Sequence, residues 1–147
     1  MTPAPPRQSQ NTLHATSVAI DGRAALITGP SGSGKSGLAL DLIALGAVLI
    51  SDDMTCVELD EGNWPIARTT GRMCGVIEAR GLGLIKVPYL PAAPISLIVD
   101  LSRTETARLP DPRTTDLLGA QVLTVSKVDT PHFAASILAL MKAGLAE

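Results

Sequence analysis

Ala24-Ala25-Leu26-Ile27-Thr28 runs straight into Gly29-Pro30-Ser31-Gly32-Ser33-Gly34-Lys35-Ser36, and Gly37-Leu38-Ala39-Leu40-Asp41-Leu42-Ile43-Ala44-Leu45 follows. The first run reads as a strand, and the last spaces its apolar residues as a helix does. A glycine-rich loop ending Gly-Lys-Ser between a strand and a helix is the context in which this pattern binds phosphate. Glycine lets the backbone curl until successive N–H groups point at one anion, and the positive end of the helix adds to the attraction. Gly29, Pro30, Ser31, Gly32, Ser33, Gly34, Lys35 and Ser36 are therefore candidate ligands of a nucleoside triphosphate. Lys35, expected as an exposed loop side chain, would place its ammonium on the outer phosphates. Ser36 would offer its hydroxyl to Mg²⁺.

Upstream, Leu13 to Ile20 and Arg23 to Thr28 are apolar-rich runs joined by Asp21-Gly22, a two-residue hairpin signal. The loop is thus entered from a hairpin, whereas doubly wound folds enter it from a central parallel strand. Downstream, Gly46 should end the helix. Ala47 to Ile50 reads as a buried strand closing on Ser51-Asp52-Asp53. Thr55 to Leu59 and Trp64 to Ala67 flank the turn Asp60-Glu61-Gly62-Asn63 as a second hairpin. Met73 to Val87 is interrupted by glycine, Ile95 to Leu101 is another apolar strand, Ser102 to Asp116 is polar, and Gln121 to Val125 is a last strand. Thr130 is expected to cap a final helix opened by Pro131, with Phe133, Ile137, Leu140, Met141 and Leu145 along one face. Strands outnumber helices, so the chain is α/β with a mixed β-sheet and few helices. Residues 1–11, polar and Pro-rich, are expected to form a disordered lead-in, and residues 12–147 a single domain.

Composition removes several classes. Apolar residues make up 46% of the 147, yet Trp64, Tyr89 and Phe133 are the only aromatics, so the core must be Leu, Ile, Val and Ala. With a net charge of −2 and no block of like charges, nucleic-acid binding has no electrostatic support, and aromatic platforms for single strands are missing. No apolar run approaches the roughly 20 residues that cross a bilayer. Cys56 and Cys74 lack metal-ligand spacing and make no disulfide framework. They read as buried free thiols, and the chain as a soluble cytoplasmic protein with no membrane partner.

A triphosphate site needs a further carboxylate to hold Mg²⁺ or to orient the nucleophile. Two strand ends supply one. Asp100 closes Leu97-Ile98-Val99, but strand-end aspartates are more often turn formers. The pair Asp52-Asp53 after the loop helix is favoured. Adjacent carboxylates beside a phosphate repel, which poises one of them to accept a proton.

His14 before the first hairpin, the Gly-Lys-Ser loop, the Asp-Asp pair and Glu78-Ala79-Arg80-Gly81-Leu82-Gly83-Leu84-Ile85 occur in that order. Together, over roughly Leu13 to Pro110, they resemble the catalytic domain of HPr kinase/phosphorylase. The Glu-x-Arg-Gly-Leu-Gly run is the most specific of these motifs. The resemblance implies a P-loop domain of the HPr kinase and phosphoenolpyruvate carboxykinase-like type, using ATP and Mg to phosphorylate a serine of the phosphocarrier HPr. It implies a homo-oligomer, often a hexamer. It makes Asp53 the general base, Ser36 and Glu78 metal ligands with Asp52 beside them, and His14 a group at the edge near the attacking oxygen. Lys35 and Arg108 would contact the transferring phosphate, while Arg80 would hold its own segment or the partner rather than the nucleotide.

The sequence also departs from the family. The usual N-terminal domain is not in it, as in the short forms of some alphaproteobacteria. Gly37 stands where the family usually has Glu, and Ala79 replaces a branched apolar residue. The late Pro- and Arg-containing loop used for dephosphorylation has only Lys127 as a basic residue in Thr124 to Pro131. A weak phosphorylase is the expectation. The alternatives are a nucleotide-sensing module that has lost transfer, or a small-metabolite kinase for which Arg103, Arg108 and Arg113 would be a thin lid.

Overall fold

Asp21 and Gly22 both take left-handed backbone conformations, φ 52° and 74°, which close a two-residue turn of the kind that matches strand twist. That turn joins β2 (Ala15–Ile20) to β3 (Arg23–Thr28), paired antiparallel from Ala15↔Thr28 to Ile20↔Arg23. The structure, a computed structural model, describes residues 11–146. Before the hairpin lies the short β1 (Asn11–Leu13). The remaining elements are α1 (Lys35–Ala44), β4 (Val48–Ser51), β5 (Thr55–Leu59), β6 (Pro65–Arg68), β7 (Val76–Ala79), β8 (Gly83–Lys86), β9 (Ala92–Thr104), β10 (Arg113–Leu117), β11 (Ala120–Lys127) and α2 (Phe133–Ala143).

Among the described residues nine strands form one mixed sheet in the order β1-β5-β6-β9-β3-β2-β4, with β11 and then β10 joined to β9. β9 is the spine. Its first residues pair antiparallel with β6, while its middle runs parallel to β3 and its end parallel to β11. β7 and β8 make a separate two-stranded hairpin. β4 is antiparallel to β2, which is antiparallel to β3, so β4 points the same way as β3, β9 and β11. Four carboxyl ends therefore open at one edge, the place where α/β sheets bind ligands. The phosphate loop follows β3, Asp52-Asp53 follows β4 and Val128 to Thr130 follows β11. β9 runs on past Asp100 and Leu101 to Thr104, so Asp100 lies inside its strand rather than closing it.

The two sheet faces are both covered. On one, Val18, Ile20, Ala25, Ile27, Leu97 and Val99 pack under Leu38, Ala39 and Leu42 of α1 and Ile137 and Met141 of α2. On the other, Ala19, Ala24, Leu26, Ile95 and Ile98 meet Val57 of β5 and Ala67 of β6, because the sheet curls back on itself. Strands buried on both faces read as continuous apolar runs, which is why β2 and β3 lack alternation. The Arg23 guanidinium donates to the Met141 carbonyl at 2.6 Å, closing the last turn of α2 onto the hairpin.

Several expectations change. The polar stretch contains β10, and β9 runs beyond its apolar centre at both ends. Thr130 does not cap α2: the helix begins at Phe133 with no side-chain cap, and the Thr130 hydroxyl bonds the His132 ring instead. Leu145 lies past the helix and is exposed. Asn11 belongs to β1, paired with Val57, and the rest of the expected lead-in lies outside the described residues. Neither cysteine is in a disulfide; Cys56 is buried, whereas Cys74 is only partly so.

Ile27 is fully buried against α1. Ile27→Ala should cost about 2–5 kcal/mol of stability, read as a lower urea midpoint at unchanged slope. A loss below about 1 kcal/mol would contradict this packing.

Candidate active site

The loop after β3 is shaped by two glycines that other residues could not replace without strain. Gly29 has φ 145°, and a Cβ there would lie 2.7 Å from the Ser33 hydroxyl and 3.2 Å from Leu101 Cβ. Gly34, at φ 100°, is the residue before α1, whose N-terminus carries no side-chain cap. The first N–H groups of α1 are thus left for an outside acceptor. The Ser33 hydroxyl is buried without a partner among the described residues. An uncapped helix start and an orphaned donor fit an anion in this loop.

Lys35 is buried, not exposed as expected. Its ammonium donates to the carbonyls of Gly29 at 2.8 Å and Pro30 at 3.1 Å, so the lysine braces the loop it belongs to. Ser36 donates to Asp52 Oδ1 at 2.7 Å. The same oxygen accepts from the Thr16 hydroxyl at 3.1 Å, and Oδ2 accepts from the Glu78 N–H at 3.2 Å. Thr16 in turn accepts from the Asp53 N–H at 3.1 Å. This fixes Asp53 in the left-handed region, φ 67°, an uncommon state for a residue with a side chain. Asp53 Oδ1 meets His14 Nε2 at 2.7 Å, with both side chains substantially exposed.

These groups line a cleft of about 540 Å³ bounded by Ser31, Gly32, Gly34, Lys35, Ser36, Asp52, Asp53 and Glu78. Arg80, an exposed residue, lines the same cleft. Among the described residues no three His, Cys, Asp or Glu side chains gather as a metal cage. Mg²⁺ does not need one, since it is held by one or two carboxylates together with substrate phosphates. Ser36, Asp52 and Glu78 fit that donor set.

Two candidates stand elsewhere. Arg108 is exposed in the loop between β9 and β10, outside the cleft. Asp100 turns to the Ser102 hydroxyl at 2.6 Å and the Ser102 N–H at 2.9 Å, with Arg113 at 3.8 Å. Burial raises its carboxyl, but those hydrogen bonds and the charges of Arg113 and Arg103 outweigh burial and hold it below the usual aspartate value. Thr16 was not foreseen. It contacts the acid pair only through the β2–β4 register, which no local sequence pattern encodes.

Residues 7–132 match the family model described as HPr Serine kinase C-terminal domain. The chain belongs to that family. It is 39% identical over 100 residues to an HPr kinase/phosphorylase of Mycoplasmopsis pulmonis, covering 63% of this chain and 32% of the relative. It is 34% identical over 122 residues to an HPr kinase/phosphorylase of Treponema pallidum, covering 78% and 38%. The chain thus spans about a third of the length of these curated relatives. The solved HPr(Ser) kinase/phosphatase from Coxiella burnetii superposes with a TM-score of 0.76 at 27% identity, over 90% of this chain and 88% of that one. The hairpin-entered loop and the mixed sheet are therefore the fold of the HPr kinase family.

For this member of the family, Thr16→Val keeps the side chain's shape and removes both of its hydrogen bonds to the acid pair. It should cost about 1 kcal/mol of stability and lower any phosphoryl transfer as Asp53 leaves its strained turn. Chemical denaturation and a turnover assay on the same variant would check both; unchanged turnover would remove Thr16 from the site.

Proposed function

We propose that the chain is an ATP- and Mg²⁺-dependent kinase that phosphorylates a serine of the phosphocarrier protein HPr. One observation carries the reading: the adjacent carboxylates face different partners, Asp52 the loop serine and Asp53 the open cleft and His14. A site with one carboxylate beside the phosphate loop and one toward an incoming hydroxyl has the groups that phosphoryl transfer uses.

In this reading Asp53 takes the proton of the substrate serine as its oxygen attacks the γ-phosphorus. The bond from that phosphorus to the β–γ bridging oxygen breaks and ADP leaves. His14 holds the Asp53 carboxylate toward the attacking oxygen. Lys35 and the loop N–H groups bind the phosphates, and Arg80, in the same cleft, holds its own segment or the partner; Arg108, outside the cleft, is given no part in this step. Mg²⁺, when bound at Ser36, Asp52 and Glu78, would neutralise the developing charge. In reverse, an oxygen of inorganic phosphate would attack the phosphoserine phosphorus, and the bond from that phosphorus to the serine oxygen would break. Asp53 would return the proton to that oxygen, and pyrophosphate would leave with free serine restored. The late loop brings only Lys127 to the phosphate loop's other flank, so this direction should be weak.

A macromolecular acceptor fits better than a small metabolite. The Asp53 side chain is 67% exposed, and Arg113 is tied to Ser126 at 2.7 Å rather than free to close as a lid. Among the described residues no helix is long and apolar enough to cross a membrane. Two cysteines outside any disulfide agree with a reducing cytoplasm, and we place the enzyme there as a homo-oligomer.

Asp53→Asn should lower transfer to HPr by about 10²-fold or more, with ATP binding much less affected. Transfer from labelled ATP, with HPr offered against small hydroxyl compounds, measures this. If Asp52→Asn were the crippling change and Asp53→Asn the mild one, the assignment of the base would be wrong. Lys35→Ala should abolish transfer and, since Lys35 is buried, also lower the melting temperature. Near-normal turnover in that variant would sink the reading.

A further inference from the structure

A cavity of about 490 Å³ lies between the loop joining β9 to β10, strand β11 and helix α2. It shares no lining residue with the acidic cleft, and the proposed chemistry leaves it unused. β10 begins at Arg113, opposite Thr124, so β11 runs on to Lys127 with no β10 residue beside it. Leu123, Val125, Phe133, Ile137 and Leu140 give the cavity an apolar wall. Its volume falls within the roughly 300–1,000 Å³ typical of small-molecule pockets.

Two polar side chains interrupt that wall. Ser126 lines the cavity, is only 7% exposed, and accepts a hydrogen bond from the Arg113 guanidinium at 2.7 Å. Among the described residues the Ser126 hydroxyl passes its own proton to no acceptor, and the guanidinium makes this one hydrogen bond. Asp100 does not fill the gap. Its Oδ2 stands 3.8 Å from Arg113, beyond hydrogen-bond length, and its Oδ1 is taken by Ser102. A buried hydroxyl donor without an acceptor costs free energy, and here it sits beside a cation with N–H groups to spare. A carboxylate offers one oxygen to each. We propose that this cavity binds a small carboxylic acid with an apolar body, its carboxylate between Arg113 and Ser126 and its body against Phe133, Ile137 and Leu140.

The other ionisable groups of the lining set the charge of the occupant. Glu105 turns its Oε2 onto the N–H groups of Thr106 and Ala107, both at 3.1 Å, and Asp111 is exposed. The His132 ring is engaged by the Thr130 hydroxyl at 3.0 Å. Two carboxylates in the lining and Asp100 behind Arg113 would repel a polyanion such as a phosphate ester. A single negative charge, met by one guanidinium and one hydroxyl, is what the wall can hold. The rest of the lining rewards an aromatic or branched aliphatic body, because filling it removes apolar surface from water.

The test titrates the full chain with phenylacetate and follows the backbone amide resonances, with phenylacetamide as the uncharged ligand of the same shape. Phenylacetate should saturate and move the amides of residues 109–113 and 123–140. Phenylacetamide should bind the wild-type chain about tenfold more weakly or worse, since it loses the charge-assisted bond. That comparison needs no variant. Arg113→Gln should weaken phenylacetate by about tenfold and leave phenylacetamide within about twofold of wild type. Leu140→Trp, which fills the cavity from the helix side and leaves Arg113 and Ser126 in place, should abolish binding of both. Equal affinity of the wild-type chain for the two ligands overturns the inference, as do saturable shifts confined to residues 29–37 and 52–54. A folded wild-type chain that binds neither ligand at millimolar concentration also overturns it, and that is the result expected if a second copy of the chain covers the cavity.

Discussion

The Asp52 carboxylate accepts hydrogen bonds from three separate parts of the chain: Ser36 on α1, Thr16 on β2 and the Glu78 N–H on β7. Among the described residues these bonds join the loop helix, the central sheet and the small β7–β8 hairpin at one point. Each donor is held in place by its own element, so the carboxylate fixes how these elements meet. Losing it would leave two hydroxyls and an N–H without their acceptor, each with a desolvation cost wherever water cannot return. The same bonds leave the phosphate loop with a prearranged rim rather than one assembled on binding.

Adjacent carboxylates would repel if both faced one ligand. The backbone solves this locally. The left-handed turn at Asp53, held through its N–H to Thr16, sends successive side chains in different directions. Asp52 looks into the sheet edge and Asp53 looks outward to His14. The turn costs on the order of 1–3 kcal/mol in a residue that is not glycine. Such strain persists only where surrounding contacts over-determine it, and here the buried Thr16 does so.

How much of this could be read from the chain depends on whether the signal is local. The loop, the Asp21-Gly22 hairpin, the Asp-Asp pair and the Trp64 hairpin each sit in a few consecutive residues, and all were legible. β10 was not, because Arg113-Thr114-Thr115-Asp116-Leu117 is a mostly exposed strand paired only with β11, and exposure removes the apolar signal. The burial of Lys35 was hidden for a related reason: its ammonium is satisfied by Gly29 and Pro30 carbonyls, a matter of loop curvature rather than residue type. Thr130 looked like a cap by residue type, but the chain makes a further turn through Pro131 and His132 first. Thr16 depends on contacts between distant segments, so no sliding window along the chain could find it.

Hairpin entry has a consequence for the site that a parallel entry strand would not give. β2 begins opposite the end of β3, with Ala15 beside Thr28, so the residue before β2 lies next to the phosphate loop. That residue is His14, in contact with Asp53. If the loop followed a lone strand of the same six residues, the residue before that strand would lie about 20 Å away, at the far edge of the sheet. The antiparallel partner therefore does more than widen the sheet. It returns the chain's early residues to the edge that bears the phosphate loop and supplies Thr16 from within the strand. The same strand also carries Val18 and Ile20 into the core beneath α1, so one six-residue element supports both the packing of the loop helix and the geometry of the acid pair.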